Sequence, residues 1–196
     1  ALASVLSACR ATGVDPKGAV IGQIGLGAAG LAICRMLMAY GVDNVYGIDR
    51  QQEALDRLTS YGGQTLSSLE EIMANCDIVV ATTGVAGLIK TSMVRPGQII
   101  LALSNPNPEI TPEDALAAGA AYAADGRLVN NAIGFPGIFR GALDAGASEI
   151  TYPMLVAAAQ AIFNHTKPGD LIPNPLDPSV HQVVARAVEL AATKQK

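Results

Sequence analysis

Apolar positions along this chain follow two alternating rhythms. Short, nearly unbroken apolar runs fall at residues 19–24, 45–48, 77–82, 98–103 and 121–124, with a brief one at 64–66. Such runs, bounded by Gly, Pro and Asn, predict strands buried on both faces. Helical signals lie between them. Leu2, Val5, Leu6 and Cys9 follow the i, i+3, i+4, i+7 spacing of a helix that Gly13 ends. A second helix follows the first strand and stops at Gly41, and residues 51–59 predict a short polar one. Ser67-Ser68-Leu69-Glu70-Glu71 is a capping-box sequence for a helix to Asn75, and Thr111-Pro112-Glu113-Asp114 opens another. Three more helices are predicted: one through Asp144, one over 152–165 and one over 179–193. Residues 167–178, with four of the eleven prolines, form an extended connector between the last two.

Alternating strands and helices predict an α/β fold, a doubly wound parallel sheet with extra C-terminal helices, as one domain over residues 1–196. Right-handed crossovers place the C-terminal ends of the strands along one edge, where such folds bind ligands. The residues at those tips are Gly25, Asp49, Thr83 with Gly84, Ser104 with Asn105, and the Asn130-Asn131 pair. Each tip is expected to offer hydrogen-bonding groups to one extended ligand.

The first βαβ unit is the most informative stretch. After the strand at 19–24 come Gly25, Gly27 and Gly30 in the pattern G-x-G-x-x-G, then a helix, then the strand at 45–48 ending on Asp49. Gly25 allows a sharp turn, Gly27 leaves room for a pyrophosphate, and Gly30 allows the helix to pack closely on the strand. The positive helix end, through Ala28, Ala29, Gly30 and Leu31, faces the phosphates. Asp49 sits at the distance expected of the acid that accepts ribose hydroxyls. An acid there repels a 2′-phosphate and favours NAD; Arg50 beside it could offset that charge, which keeps NADP as the alternative.

Composition narrows the partners. Half of the residues are hydrophobic but only 4% are aromatic, so the core must be built from Ala, Val, Leu and Ile. A net charge of −4 without a basic block argues against nucleic acid and anionic membrane, and no apolar run approaches the ~18 residues of a spanning helix. Cys9, Cys34 and Cys76 lie in apolar stretches without a C-x-x-C pair and read as buried thiols of a reducing, cytoplasmic setting. Arg140 and Asp144, four apart on one helix, read as a surface ion pair, and His165 and His181 have no metal or triad spacing. The chain opens within a helical pattern, with no initiator Met and no cap, and looks like part of a longer one.

Three strings carry a family resemblance: Leu103-Ser104-Asn105-Pro106; Val129-Asn130-Asn131 through Gly134-Phe135-Pro136-Gly137-Ile138-Phe139-Arg140-Gly141-Ala142-Leu143-Asp144; and Ile172-Pro173-Asn174-Pro175-Leu176-Asp177-Pro178. Over essentially its whole length the chain resembles the C-terminal, NAD(P)-binding domain of malic enzymes, nearest to the bacterial type. The resemblance implies oxidative decarboxylation of L-malate to pyruvate and CO2 with NAD(P)+ and a Mg2+ or Mn2+ ion, in a homo-oligomer. It implies that Asn105 and Asn131 hold substrate, and that Asn105, Asn130 and Asn131 lie at the nicotinamide end of the cofactor. The family's catalytic Tyr and Lys and its acidic metal ligands would lie in an N-terminal domain absent from this chain, so the fragment alone is expected to be inactive. The resemblance also implies that two loops, before Ser67 and at 125–128, are shorter than in bacterial relatives, so the substrate-side loop is expected to differ. Two other readings stay open: a different dehydrogenase of the same fold, of the amino-acid or shikimate type, and a non-catalytic nucleotide-binding module.

Overall fold

The computed structural model describes residues 1–127, 129 and 131–193, except for the side chain of Asn131. Among these the elements run α1 (Leu2–Thr12), β1 (Val20–Ile24), α2 (Ala28–Tyr40), β2 (Asn44–Ile48), α3 (Gln52–Ser60), β3 (Gln64–Thr65), α4 (Leu69–Asn75), β4 (Ile78–Ala81), β5 (Ile99–Ala102), α5 (Pro112–Ala117), β6 (Tyr122–Asp125), α6 (Phe135–Asp144), α7 (Tyr152–His165) and α8 (Pro178–Thr193). The chain divides into two compact units. One comprises residues 8–128, the other residues 1–7 with 129–196.

The first unit holds the sheet. Its strands lie in the order β3-β2-β1-β4-β5-β6, all parallel. That order reverses at β1, which is the switch point of a doubly wound dinucleotide fold. β4 and β5 are buried at every position, which explains their unbroken apolar sequence. Two glycines show how closely the helices approach on opposite faces. A Cβ on Gly22 of β1 would lie 2.7 Å from the Cys76 sulfur and 2.8 Å from Ile72, so α4 and its C-cap cover that face. A Cβ on Gly47 of β2 would lie 2.6 Å from Leu58, so α3 covers the other. Ile72, Met73, Cys76, Val79, Ile100 and Ala115 form the centre of a core built almost without aromatics.

The predicted caps form. The Ser68 hydroxyl accepts the Glu71 N–H, and the Thr111 hydroxyl accepts the Asp114 N–H. Glu71 reaches back to the N–H of Ser67, one residue earlier than the cap, and that bond draws its carboxyl below the usual carboxylate range. All three thiols are buried, and removal from water pushes each of them up to about 12.

The second unit is helical. α8 buries Val180, Val184, Val188 and Ala192, a stripe at every fourth position. α6 crosses it on Gly137 and Gly141: a Cβ on Gly137 would sit 2.7 Å from Val184, and one on Gly141 would sit 2.2 Å from the Ala185 carbonyl oxygen. The aromatic edge of α6 is left outward, with the Phe135 and Phe139 rings in tilted contact at 5.0 Å between centroids and both exposed, as is Leu143. Arg140 pairs with Asp144 on the surface as expected. The structure also joins groups that sequence spacing leaves apart. His165 Nε2 lies 2.9 Å from the Ser179 hydroxyl and 3.6 Å from Asp177, whose carboxylate accepts both the N–H and the hydroxyl of Ser179 at the start of α8.

Candidate functional site

The site begins with the turn out of β1. Gly25 has φ +86°, a left-handed conformation that favours glycine, and its N–H donates to Ile48 O at the end of β2. Gly27 precedes α2 in extended backbone, and a Cβ there would meet nothing within 4 Å. Gly30 is the opposite case: its Cβ would fall 1.9 Å from Gly25 O. The turn is therefore folded directly against the helix it leads into. Ala28 and Ala29 are exposed in the first turn of α2, while Gly30 and Leu31 are buried. The amides of that first turn have no acceptor within the helix and carry its positive end.

Below the turn lies a residue that sequence reasoning overlooked. Gln23 is fully buried, and its side-chain nitrogen donates to Thr82 Oγ1 at 2.9 Å and to Gly25 O at 3.1 Å. It holds the glycine turn to the end of β4. A glutamine inside an apolar run was the available signal, because the N–H groups of a buried amide must find acceptors.

Asp49 closes the other side. Its Oδ2 accepts the Leu26 N–H at 2.7 Å and its Oδ1 accepts the Gln51 N–H at 2.9 Å. The carboxylate is thus aimed by two backbone amides, and each oxygen keeps capacity for another donor. Between these parts lies a cavity of about 620 Å3. Gly25, Gly27, Asp49, Arg50, Gln51 and Thr83 supply its polar lining, and Ile48, Leu55, Leu66, Val85 and Leu88 supply apolar walls. That volume and that mixture suit a cofactor-sized ligand.

The loops after β4 and β5 reach the same edge of the sheet. Thr83 and Gly84, expected to offer hydrogen-bonding groups to a ligand, turn their backbone amides inward. Thr83 N–H donates to Glu109 Oε1 at 2.6 Å, Gly84 N–H to the Ser104 hydroxyl at 2.8 Å, and Val85 N–H to the Thr83 hydroxyl at 3.1 Å. Asn105 is exposed just past β5, and its bond to Pro106 is cis. Asn130 lies outside the described residues. Asn131 opens a short 3-10 turn, Asn131–Ile133, in the helical unit, and its side chain also lies outside them.

So Gly25, Gly27, Asp49, Arg50 and Thr83 share one cavity, with Gly84 and Asn105 on adjoining loops of the same edge. Among the described residues no three His, Cys, Asp or Glu side chains are grouped so as to hold a metal ion, and no helix is long and apolar enough to cross a membrane.

Comparison with known proteins places this geometry. The family model described as the NAD binding domain of 6-phosphogluconate dehydrogenase matches residues 20–126. The chain is 67% identical over 191 residues to NAD-dependent malic enzyme 1 of Bacillus subtilis, covering 97% of this chain and 44% of that protein. It is 33% identical to an NADP-dependent malic enzyme of Rhizobium meliloti, covering 98% of this chain and 30% of that protein. Among solved structures, the malic enzyme of Pyrococcus horikoshii matches with a TM-score of 0.89 at 33% identity, over 99% of this chain and 52% of that one. The chain thus spans about half or less of the length of these relatives. With the glycine turn, the aimed acid and the reversal of strand order at β1 all present, the chain belongs to the family described as the NAD binding domain of 6-phosphogluconate dehydrogenase, and over nearly its whole length it is similar to one part of malic enzymes.

Proposed function

We propose that this chain is the cofactor-binding part of an enzyme that oxidises L-malate and releases pyruvate and CO2, with NAD+ as the preferred cofactor. The single observation that carries the cofactor reading is the aimed carboxylate of Asp49 at the cavity beside the glycine turn. Two ribose hydroxyls can donate to it, whereas a 2′-phosphate would meet a fixed negative charge. Arg50 lines the same cavity and stands ready to stack on an adenine or to soften that charge, which keeps NADP as the second reading.

When bound, NAD+ supplies the acceptor for the hydride that leaves malate C2. The residues of this chain bind and orient. The N-terminus of α2 meets the pyrophosphate, Gly27 leaves it space, and Asp49 sets the ribose. The apolar walls flank the adenine and exclude water. Asn105, with Asn130 and Asn131, hydrogen-bonds malate and the nicotinamide end through amides, which add no charge to oppose a carboxylate. The described residues do not fit a divalent metal, so the polarisation of the keto acid and its proton transfers are assigned to the remainder of the protein.

In this reading the chain works with a catalytic, metal-bearing domain of the same protein, in a homo-oligomer, in the cytoplasm. The exposed stripe of Phe135, Phe139 and Leu143 supports packing against further protein, and three unpaired buried thiols suit a reducing compartment. The test is an assay of the whole protein with L-malate, Mn2+ and either NAD+ or NADP+. Pyruvate formation faster with NAD+ supports the reading; no pyruvate with either cofactor sends the chain to another dehydrogenase class.

A further inference from the structure

Glu109 is a carboxylate with no solvent exposure. One oxygen, Oε1, collects three donors: the Thr83 N–H at 2.6 Å, the Thr83 hydroxyl at 2.7 Å and the Ser104 hydroxyl at 2.5 Å. The other, Oε2, is buried with no hydrogen-bond partner. Both hydroxyls are relays. Thr83 Oγ1 accepts the Val85 N–H while donating to Glu109, and Ser104 Oγ accepts the Gly84 N–H while donating to the same oxygen. Three consecutive amides of the loop after β4 thus terminate, directly or through one hydroxyl, on a single atom carried by the loop after β5. The Glu109 backbone adds a further tie, with its carbonyl accepting the Ile89 N–H at 3.0 Å.

A buried acid held this way costs free energy to bury, and an apolar residue would fill the same space without that cost. What the acid adds is orientation. Hydroxyls that donate to a fixed oxygen cannot rotate, so the amides that donate to them cannot swing outward. Thr83 and Val85 line the cavity, and Asn105 follows Ser104 directly.

We infer that Glu109 is a positioning residue for the cofactor: it draws the amides of Thr83, Gly84 and Val85 inward, so that the loop after β4 presents its carbonyls to the cleft and Asn105 is carried at a fixed distance from them. This deepens the NAD reading above and rests on it. Glu109 acts through Thr83 and Ser104 and touches neither cofactor nor substrate.

The test compares the full chain with Glu109→Gln and Ser104→Ala in two independent measurements. Glu109→Gln keeps the side-chain shape and one oxygen acceptor, so the fold survives, but it removes the charge that strengthens the hydrogen bonds. Amide hydrogen exchange at Thr83, Gly84 and Val85 is expected to speed up about tenfold or more in Glu109→Gln, with the β1 and β4 amides unchanged. Titration with NAD+ well below the melting temperature is expected to show a five- to tenfold higher Kd, about 1–1.4 kcal/mol. Ser104→Ala should produce part of the same change, and the double variant less than the product of the two, since both act on one chain of bonds. A merely structural role would lower thermal stability and leave the NAD+ Kd of the folded protein where it was. Unchanged exchange, or faster exchange with unchanged Kd, overturns the inference. Failure of the unmutated chain to bind NAD+ overturns the cofactor reading instead, and the exchange measurement still tests the clamp.

Discussion

The carboxylate of Asp49 accepts the backbone N–H of Leu26 at 2.7 Å, joining the end of one βαβ strand to the glycine turn 23 positions earlier. The acid therefore does more than wait for a ribose: it helps hold the turn in which the phosphates would lie.

That double duty shapes the first prediction. Asp49→Ala should weaken NAD+ by tenfold or more, about 1.4 kcal/mol, since both the ribose contacts and the tie to the turn are lost. NADP+ should weaken less, because removing the charge also removes a repulsion. Calorimetric titration of both cofactors checks this. Equal losses would take Asp49 off the ribose.

Gly27 and Gly30 should respond oppositely to the same added methyl. At Gly27 a Cβ meets open space and the backbone is extended, so Gly27→Ala should cost about 1 kcal/mol of stability or less. Its NAD+ affinity should nevertheless fall at least tenfold, since the methyl stands in the cofactor's path. At Gly30 the Cβ would lie 1.9 Å from Gly25 O, so Gly30→Ala should lose about 3 kcal/mol as the turn is forced off the helix. Urea denaturation beside NAD+ titration separates the two. A Gly27→Ala chain with full NAD+ affinity would show that the cofactor passes elsewhere.

In α6, Gly141→Ala pits helix propensity against packing. Alanine gains about 1 kcal/mol over glycine in a helix interior. The new Cβ would lie 2.2 Å from Ala185 O on α8, and such overpacking costs about 1–3 kcal/mol or more. Packing should win, with a lower melting temperature. A raised melting temperature would mean that the two helices have room to part.

The thiols give a pH prediction. Each of Cys9, Cys34 and Cys76 titrates from 9.0 when exposed to about 12 in the folded chain, because burial disfavours the thiolate. Raised folded values mean that the unfolded chain releases these protons first. Stability from this source is complete below pH 9 and is lost as pH climbs from 9 towards 12. At pH 8 a thiol reagent should label none of the three in the native chain and all three in denaturant. Rapid native labelling of Cys34 or Cys76 would contradict the burial.

Much of this was legible in the chain itself. The unbroken apolar runs marked β4 and β5 because a strand covered on both faces needs no polar alternation. G-x-G-x-x-G and Asp49 marked the cleft proposed for the cofactor because such roles depend on backbone room and charge at short, fixed spacing. Caps at Ser68 and Thr111 were readable for the same reason: a side chain meets an amide three residues away. Glu109 was not, since in sequence it is one more acid among prolines, and its partner Thr83 is 26 positions away. The inward turn of the Thr83 and Gly84 amides was likewise hidden, as was the meeting of His165 with Ser179.

What the sequence determined by itself was everything that nearest neighbours along the chain can enforce: the alternation of strand and helix, the caps, the glycine turn and the acid that follows it. What only the tertiary structure decided was which distant groups share one buried space. There a buried donor without an acceptor is expensive, so the Gln23 amide donates to Thr82, and the amides of Thr83 and Gly84 turn to Glu109 and Ser104.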